Sequence, residues 1–549
     1  MNPHLIILFV AIPMAAGVLN IALHRFKSAQ KLVACGALMA NLALALWTLS
    51  AVYIGETQPG GVLVSQMGNW PAPYGITVAV DPLSAVMLSV TGAVVFGVYL
   101  YALTQLPDRF SGGYFHAIYM LLLMGVNWAF VTGDLFNLFV AFEIMLLSSY
   151  VLLCLGTTAM QMRQAYKYVL LNLISSTLFV TSCGMIYGHT GTLNMAELTL
   201  MSMQGTIPAE AMPAIMLLLI VFGSKTAAFP IWYWLPDSYP TMPPAIGGLF
   251  SGLLTKVGVY TMIRTFTMMF GQMPAIHDLV MPIILVSAGG TMFLGVIGAV
   301  SSSNVRRILA IHVISQVGYM VLGVGLATEF AIAATVLYMI QHMIVKTTLF
   351  LCCGVMERYG GTDRLDNLGG IGRRDAWLAA LFFIAALSLA GLPPLSGFPG
   401  KLLLIQQSFF FDPYPRLGYV LAALGLATSL LTLLSMLKIW GYGFWSKTAP
   451  AVATAPRPSG HLPALATIGA LVVLALSVGL AAGQYLKVAR VAARNVLDPT
   501  EYIAAVLGDH LRPQIAAAKE SGTPDALVAA ADDAMAAADA GSSVKEVQP

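Results

Sequence analysis

Residues 223–256 read GSKTAAFPIWYWLPDSYPTMPPAIGGLFSGLLTK, and they follow the apolar run MPAIMLLLIVF. That run puts Lys225 at membrane depth. Pro230 then interrupts the helix, and Pro236, Pro240, Pro243 and Pro244 follow before a second apolar helix carries Lys256. A lysine at the bilayer centre costs roughly 2.5–3.5 kcal/mol at least. Backbone groups freed by a broken helix must face protein or a water-filled cavity. A snorkelling lysine is the bland alternative. It fits poorly here, because the flanks on both sides are apolar.

Working outward, the whole chain is of the same kind. It has 549 residues, 58% hydrophobic and 9% charged, with mean hydropathy +0.81. That describes an all-α polytopic membrane protein. The net charge of +3 suggests no nucleic-acid partner. Cys35, Cys154, Cys183, Cys352 and Cys353 lie in apolar runs without metal-ligand spacing and read as small core residues. There is no glycine-rich phosphate loop and no dinucleotide fingerprint, so ATP, flavin and nicotinamide have no support. No cofactor, metal site or catalytic residue is expected. The run from His4 to Leu23 ends in HRFKSAQK without a small-residue cleavage site and reads as a first membrane helix.

Apolar windows of about 20 residues mark 14 spans. They fall near 4–23, 31–53, 81–104, 113–131, 134–156, 164–187, 211–235, 241–264, 278–299, 305–327, 329–355, 376–410, 417–445 and 462–486. The seventh and twelfth carry Pro/Gly breaks. Arg25, Lys27, Lys31, Arg109, Arg163, Lys167, Arg306, Arg307, Arg358, Arg364, Arg373, Arg374, Lys447 and Arg457 fall on alternate connections. The intervening loops hold little beyond Arg264 and Arg416. By the positive-inside rule the N-terminus faces outside, and an even span count puts the C-terminus there too. Lys487, Arg490 and Arg494 argue weakly against that last step. Residues 487–549 read as an Ala-rich acidic polar tail without chemistry, with DALVAAADDAMAAADA as a soluble helix or a fraying end.

Buried charge concentrates in few places. Glu143 sits alone in VAFEIMLL. A lone carboxylate in hydrocarbon takes up a proton, whereas one paired with a lysine stays ionised. Lys225 is its expected partner, and separating the two would release a proton from the lysine. Lys256, His312, and His342 with Lys346 at i, i+4 extend the set. Lys401 follows a second break, AGLPPLSGFPGK, which contains Pro393, Pro394 and Pro399. Chains of titratable groups inside membranes mark proton relays. Ser148, Ser149, Ser224, Thr226, Thr255, Ser315 and Gln316 could hold water between them, or merely pack. One carboxylate makes a poor Na+ cage, since hard cations want several oxygen ligands. The corresponding breaks suggest two inverted repeats, near 113–264 and 278–445. The N-terminal helices (1–112), a last helix (446–486) and the tail (487–549) flank them.

On these residues the chain resembles the antiporter-like membrane subunits shared by Mrp cation/proton antiporters, respiratory complex I and membrane hydrogenases. The run SKTAAFPIWYWLPDSYPTMPPAIGGLFSGLLTKVGVY is similar to that superfamily's signature, and the resemblance covers roughly residues 80–445. Among those subunits it is most similar to the D type of the Mrp antiporters. The resemblance implies 14 helices, with inverted five-helix repeats at helices 4–8 and 9–13 and breaks in helices 7 and 12. It implies functional roles for Glu143, Lys225, Lys256 and Lys401, and less firmly for His312, His342 and Lys346. It also implies a secondary Na+/H+ antiporter, not an enzyme, in a bacterial inner membrane with Mrp antiporter subunits of the A, B, C, E, F and G types. The alternative is a proton-pumping subunit of a quinone- or hydrogen-linked oxidoreductase. A scaffold with relic charges is a third reading, and the number of buried charges argues against it.

Overall fold

The computed structural model describes residues 3–54, 61–106, 114–155 and 158–521. Arg109 and DALVAAADDAMAAADA lie outside the described residues.

Twelve described helices are long and apolar enough to cross a membrane. Helices α1 (His4–Ala22), α2 (Lys27–Tyr53), α3 (Pro82–Gln105), α5 (Leu135–Leu153) and α6 (Ala159–Thr190) come first, with the shorter apolar α4 (Phe115–Val131) between α3 and α5. Then follow α7 (Met212–Thr226), α8 (Pro244–Ile263), α9 (Met281–Ser301), α10 (Val305–Leu326) and α11 (Glu329–Gly360). The twelfth apolar window is two helices, α12 (Ala376–Ala390) and α13 (Gly397–Phe409), and the chain then continues through α14 (Pro415–Ile439) and α15 (His461–Leu480). Counting α4 and the α12–α13 pair, the described apolar segments number 14, matching the windows.

Two strands not foreseen from the sequence, β1 (Leu63–Gln66) and β2 (Thr77–Val80), pair antiparallel between α2 and α3. Val78 bridges to Thr132, and Asp134 to Asn194. One face of the molecule therefore gathers the hairpin and the ends of α4 and α6. On the opposite face Asn304 bridges to Arg364.

The tail is not one polar segment. Residues up to Ser521 are helical and folded onto the hairpin face. Helix α16 (Ala482–Leu497) is amphipathic and packs across α11 and α3. Its Arg490 and Arg494 meet Glu329 at 2.8 and 2.9 Å. The single Glu329 carboxylate thus offsets one of the two positive charges that argued against an outside C-terminus. Helix α17 (Thr500–Leu507) brings Tyr502 against Arg264.

Arg264 is likewise no loop residue. A π-helical turn, Arg264–Met269, prolongs α8 and leaves the guanidinium 2% exposed. It forms a salt bridge with Asp81, also buried, which caps α3 by accepting from Ser84 N at 2.9 Å.

Burial is uneven. Every residue in the most apolar window of α8, α10 and α11 is buried, whereas α1, α2 and α15 are mostly exposed to the surroundings. A helix apolar all round belongs in the centre. These three also carry Lys256, His312, His342 and Lys346, so the charges lie along the molecule's core.

Candidate functional site

Lys225 occupies the last turn of α7. The helix stops at Thr226 because Ala227 takes a left-handed conformation (φ 59°), so the break begins before Pro230, which lies within it. Helix resumes briefly at Trp234–Ser238. Gly258 of α8 abuts this end: a Cβ there would lie 2.9 Å from Thr226 N and 3.0 Å from Lys225 C. Gly258→Ala is expected to push α8 off the break and lower the thermal stability of the purified protein by about 1–3 kcal/mol. An unchanged melting curve would contradict that packing.

Lys225 is 5% exposed, and its Nζ donates to Asn172 Oδ1 (3.3 Å), Asn172 O (3.5 Å) and Ser176 Oγ (3.5 Å) on α6. It lies 5.9 Å from the Phe142 ring centroid. Glu143, the next residue on α5, is half-buried, and its Oε1 has no hydrogen-bond partner. The two are not in the salt-bridge contact expected of them, since the hydrogen bonds of the amine go to α6. The end of α7 aims the amine at α6, where two polar residues one turn apart receive it.

Lys256 is fully buried and donates to Ser251 O and, at 3.2 Å, to Thr255 Oγ1. On the facing α11, His342 and Lys346 are also fully buried, and neither has a protein hydrogen-bond partner. Helices α8 and α13 both pack on α11, so Lys256 and Lys401 lie on helices adjoining the one that carries His342 and Lys346.

Lys401 sits in the first turns of α13 and donates to Leu389 O (2.9 Å) and Ala390 O (3.1 Å), carbonyls left free where α12 ends. A cation at a helix C-terminus is favourably placed. Gly391 turns the chain with φ +89°, and a Cβ there would lie 2.9 Å from Lys401 Cδ. Lys401 also stands 4.9 Å over the Tyr319 ring. Pro393 and Pro394 lie in this break. Pro399 does not: it occupies the first turn of α13, where a missing N–H costs no helix bond.

His312 hydrogen-bonds Ser435 through Nε2 and Ser315 through Nδ1 (3.3 Å). Gln316 donates to Ser315 Oγ (2.9 Å) and Thr432 Oγ1 (3.3 Å), and Tyr338 donates to Gln316. Ser435, Thr432 and Asn172 were not singled out from the sequence. A signal existed: Thr428, Thr432 and Ser435 recur at i, i+4, i+7 in an apolar helix, which marks one face. Ser435→Ala leaves one imidazole nitrogen unpaired, at roughly 1–3 kcal/mol. The expected result is a lower melting temperature of the purified protein, and an unchanged one would contradict the contact.

On the face opposite the hairpin lies a cavity of about 890 Å³, bounded by α3, α6, the Pro236–Pro244 segment, α8, α10 and α11. Its wall holds Arg306, which meets Glu357 at 2.7 Å and Asp363 at 3.8 Å, and Asp237, which meets Lys167 at 3.0 Å. Gly354 in the wall is two turns of α11 beyond Lys346, about 12 Å along the helix.

Residues 132–432 match the family model described as NADH:quinone oxidoreductase/Mrp antiporter, transmembrane. The D-type subunit of the Na(+)/H(+) antiporter of Alkalihalophilus pseudofirmus is 42% identical over 92% of this chain and 99% of its own length. A chain in the solved Mrp complex from a Dietzia species superposes with a TM-score of 0.83 at 32% identity, covering 92% of this chain and all of that one. A chain of a membrane-bound sulfane sulfur reductase, an archaeal respiratory complex, superposes with a TM-score of 0.84 at 25% identity, again over 92% and 100%.

Proposed function

We propose a function from one premise: the chain belongs to the NADH:quinone oxidoreductase/Mrp antiporter family of membrane subunits. It is the proton-translocating subunit of a secondary cation/proton antiporter that exchanges cytoplasmic Na+ for external H+. It works in a bacterial inner membrane, in a hetero-oligomer with Mrp antiporter subunits of the A, B, C, E, F and G types. The observation that carries this reading is the burial of Lys256, His312, His342 and Lys346 on the three helices whose most apolar windows are wholly buried. Nothing in folding requires such charges at membrane depth, and proton relays do.

In this reading Lys225 and Glu143 are the switching pair, Lys256 relays, His342 and Lys346 continue the axis, and Lys401 exchanges the proton with one side. His342 and Lys346, which lack protein partners, are served by water. Residues 113–264 and 278–445 act as inverted repeats, each with one broken helix and one lysine at the break. Arg306, Arg307, Arg358, Arg364, Arg373 and Arg374 crowd the face opposite the hairpin, which supports placing that face, and the cavity in it, in the cytoplasm. Both termini then face outside.

The likeness to a chain of a respiratory complex favours one rival, a proton-pumping subunit whose redox chemistry sits on partners. Genes for redox subunits beside this one would favour the rival. The direct test is Na+-dependent proton exchange by the assembled complex.

A further inference from the structure

We infer that Asn172 and Ser176 form a second, uncharged seat for the Lys225 amine, alternating with the Glu143 carboxylate. The inference rests on the switching role of Lys225 proposed above and adds positioning residues to it.

The geometry is that of a made site. Asn172 is 3% and Ser176 5% exposed. Asn172 Nδ2 donates to Tyr168 O, one turn back on α6, at 2.8 Å. With its NH2 group so tied, the amide presents its oxygen to Lys225. Tyr168 is itself anchored, through its hydroxyl, to Ser149 of α5 at 3.0 Å. Asn172 O, Asn172 Oδ1 and Ser176 Oγ therefore converge on one nitrogen that is not in salt-bridge contact with Glu143.

The two seats differ in what they hold. A carboxylate attracts the ammonium and has little hold on a neutral amine. Neutral oxygens accept N–H bonds from either form, three from the ammonium and two from the amine. An amine leaving Glu143 thus finds acceptors that do not demand a charge, and it can give up its proton without being orphaned in an apolar interior. Phe142 stands at the amine's flank, stacked on Phe222, so the amine moves between the seats beside an apolar wall.

The test uses the whole complex in energised inside-out vesicles, with Na+-dependent proton exchange followed across pH for wild type, Lys225→Ala, Asn172→Leu, Asn172→Ser and Ser176→Ala. Asn172→Leu is expected to slow exchange about tenfold and displace its pH profile, with complex abundance and the KM for Na+ unchanged. Asn172→Ser, which restores an acceptor, is expected to recover most of the rate. Should Asn172→Leu fail to assemble, Ser176→Ala carries the test, with about twofold slower exchange and a profile displaced in the same sense. A wild-type rate and profile in Asn172→Leu, or in Ser176→Ala where that is the variant assembled, overturns the second seat if Lys225→Ala is inactive. Exchange by Lys225→Ala instead overturns the switching role beneath it.

Discussion

Lys225→Ala is expected to reduce Na+-dependent proton exchange to the level of membranes lacking the complex, while the complex still assembles. The amine is 5% exposed in the last turn of α7, and no acidic partner neutralises it by contact. Removing it breaks no salt-bridge contact and only hydrogen bonds of 3.3–3.5 Å, so the fold loses little. Transport loses the group whose gain and loss of a proton the proposed switch requires. Growth of a Na+-sensitive host on high Na+, read beside a native gel of the complex, separates the two effects. Full growth rescue by the alanine variant, or by Glu143→Ala, contradicts the assignment.

Asp81→Ala and Arg264→Ala are expected to do the reverse and destroy the fold. Each partner is almost fully buried, and the pair joins α3, α8 and the docked tail through Ser84, Tyr260 and Tyr502. Deleting one member strands the other as a charge in the interior, at about 3–5 kcal/mol. Asp81→Ala also removes the cap of α3, worth about 1 kcal/mol more. Both single variants should melt far below wild type or fail to accumulate. The double variant Asp81→Leu with Arg264→Met, which leaves no charge behind, should recover much of the loss. A double variant no better than either single one would show that the contact does more than neutralise charge.

Much of the architecture was legible because a bilayer imposes a length and a composition on each helix. The two breaks were legible because prolines and glycines cluster beside a lysine in the seventh and twelfth windows. Contacts between distant segments were not. Asp81 and Arg264 are 183 residues apart, and Arg264 read as a loop residue because nothing in RTFTMM announces a π-helical turn. Asn172 and Ser435 were not singled out, since their meaning depends on which helix faces them. The same dependence explains Glu143: its neighbourhood with Lys225 was readable from depth, but the amine's preference for α6 was not. The tail misled through its composition, because acidic, Ala-rich residues near the end disguised a preceding amphipathic helix that packs on α11.

The most direct test of the central claim is a measurement on inside-out vesicles carrying the complete assembly. They are energised, lumenal acidity is followed with a fluorescent dye, and Na+ or K+ is added, for wild type and Lys225→Ala. The expected result is that Na+ collapses the proton gradient in wild type and leaves it intact in the variant. If no cation collapses it, and a quinone-linked donor instead builds a gradient that depends on Lys225, the chain is a respiratory proton pump and the antiporter assignment is contradicted.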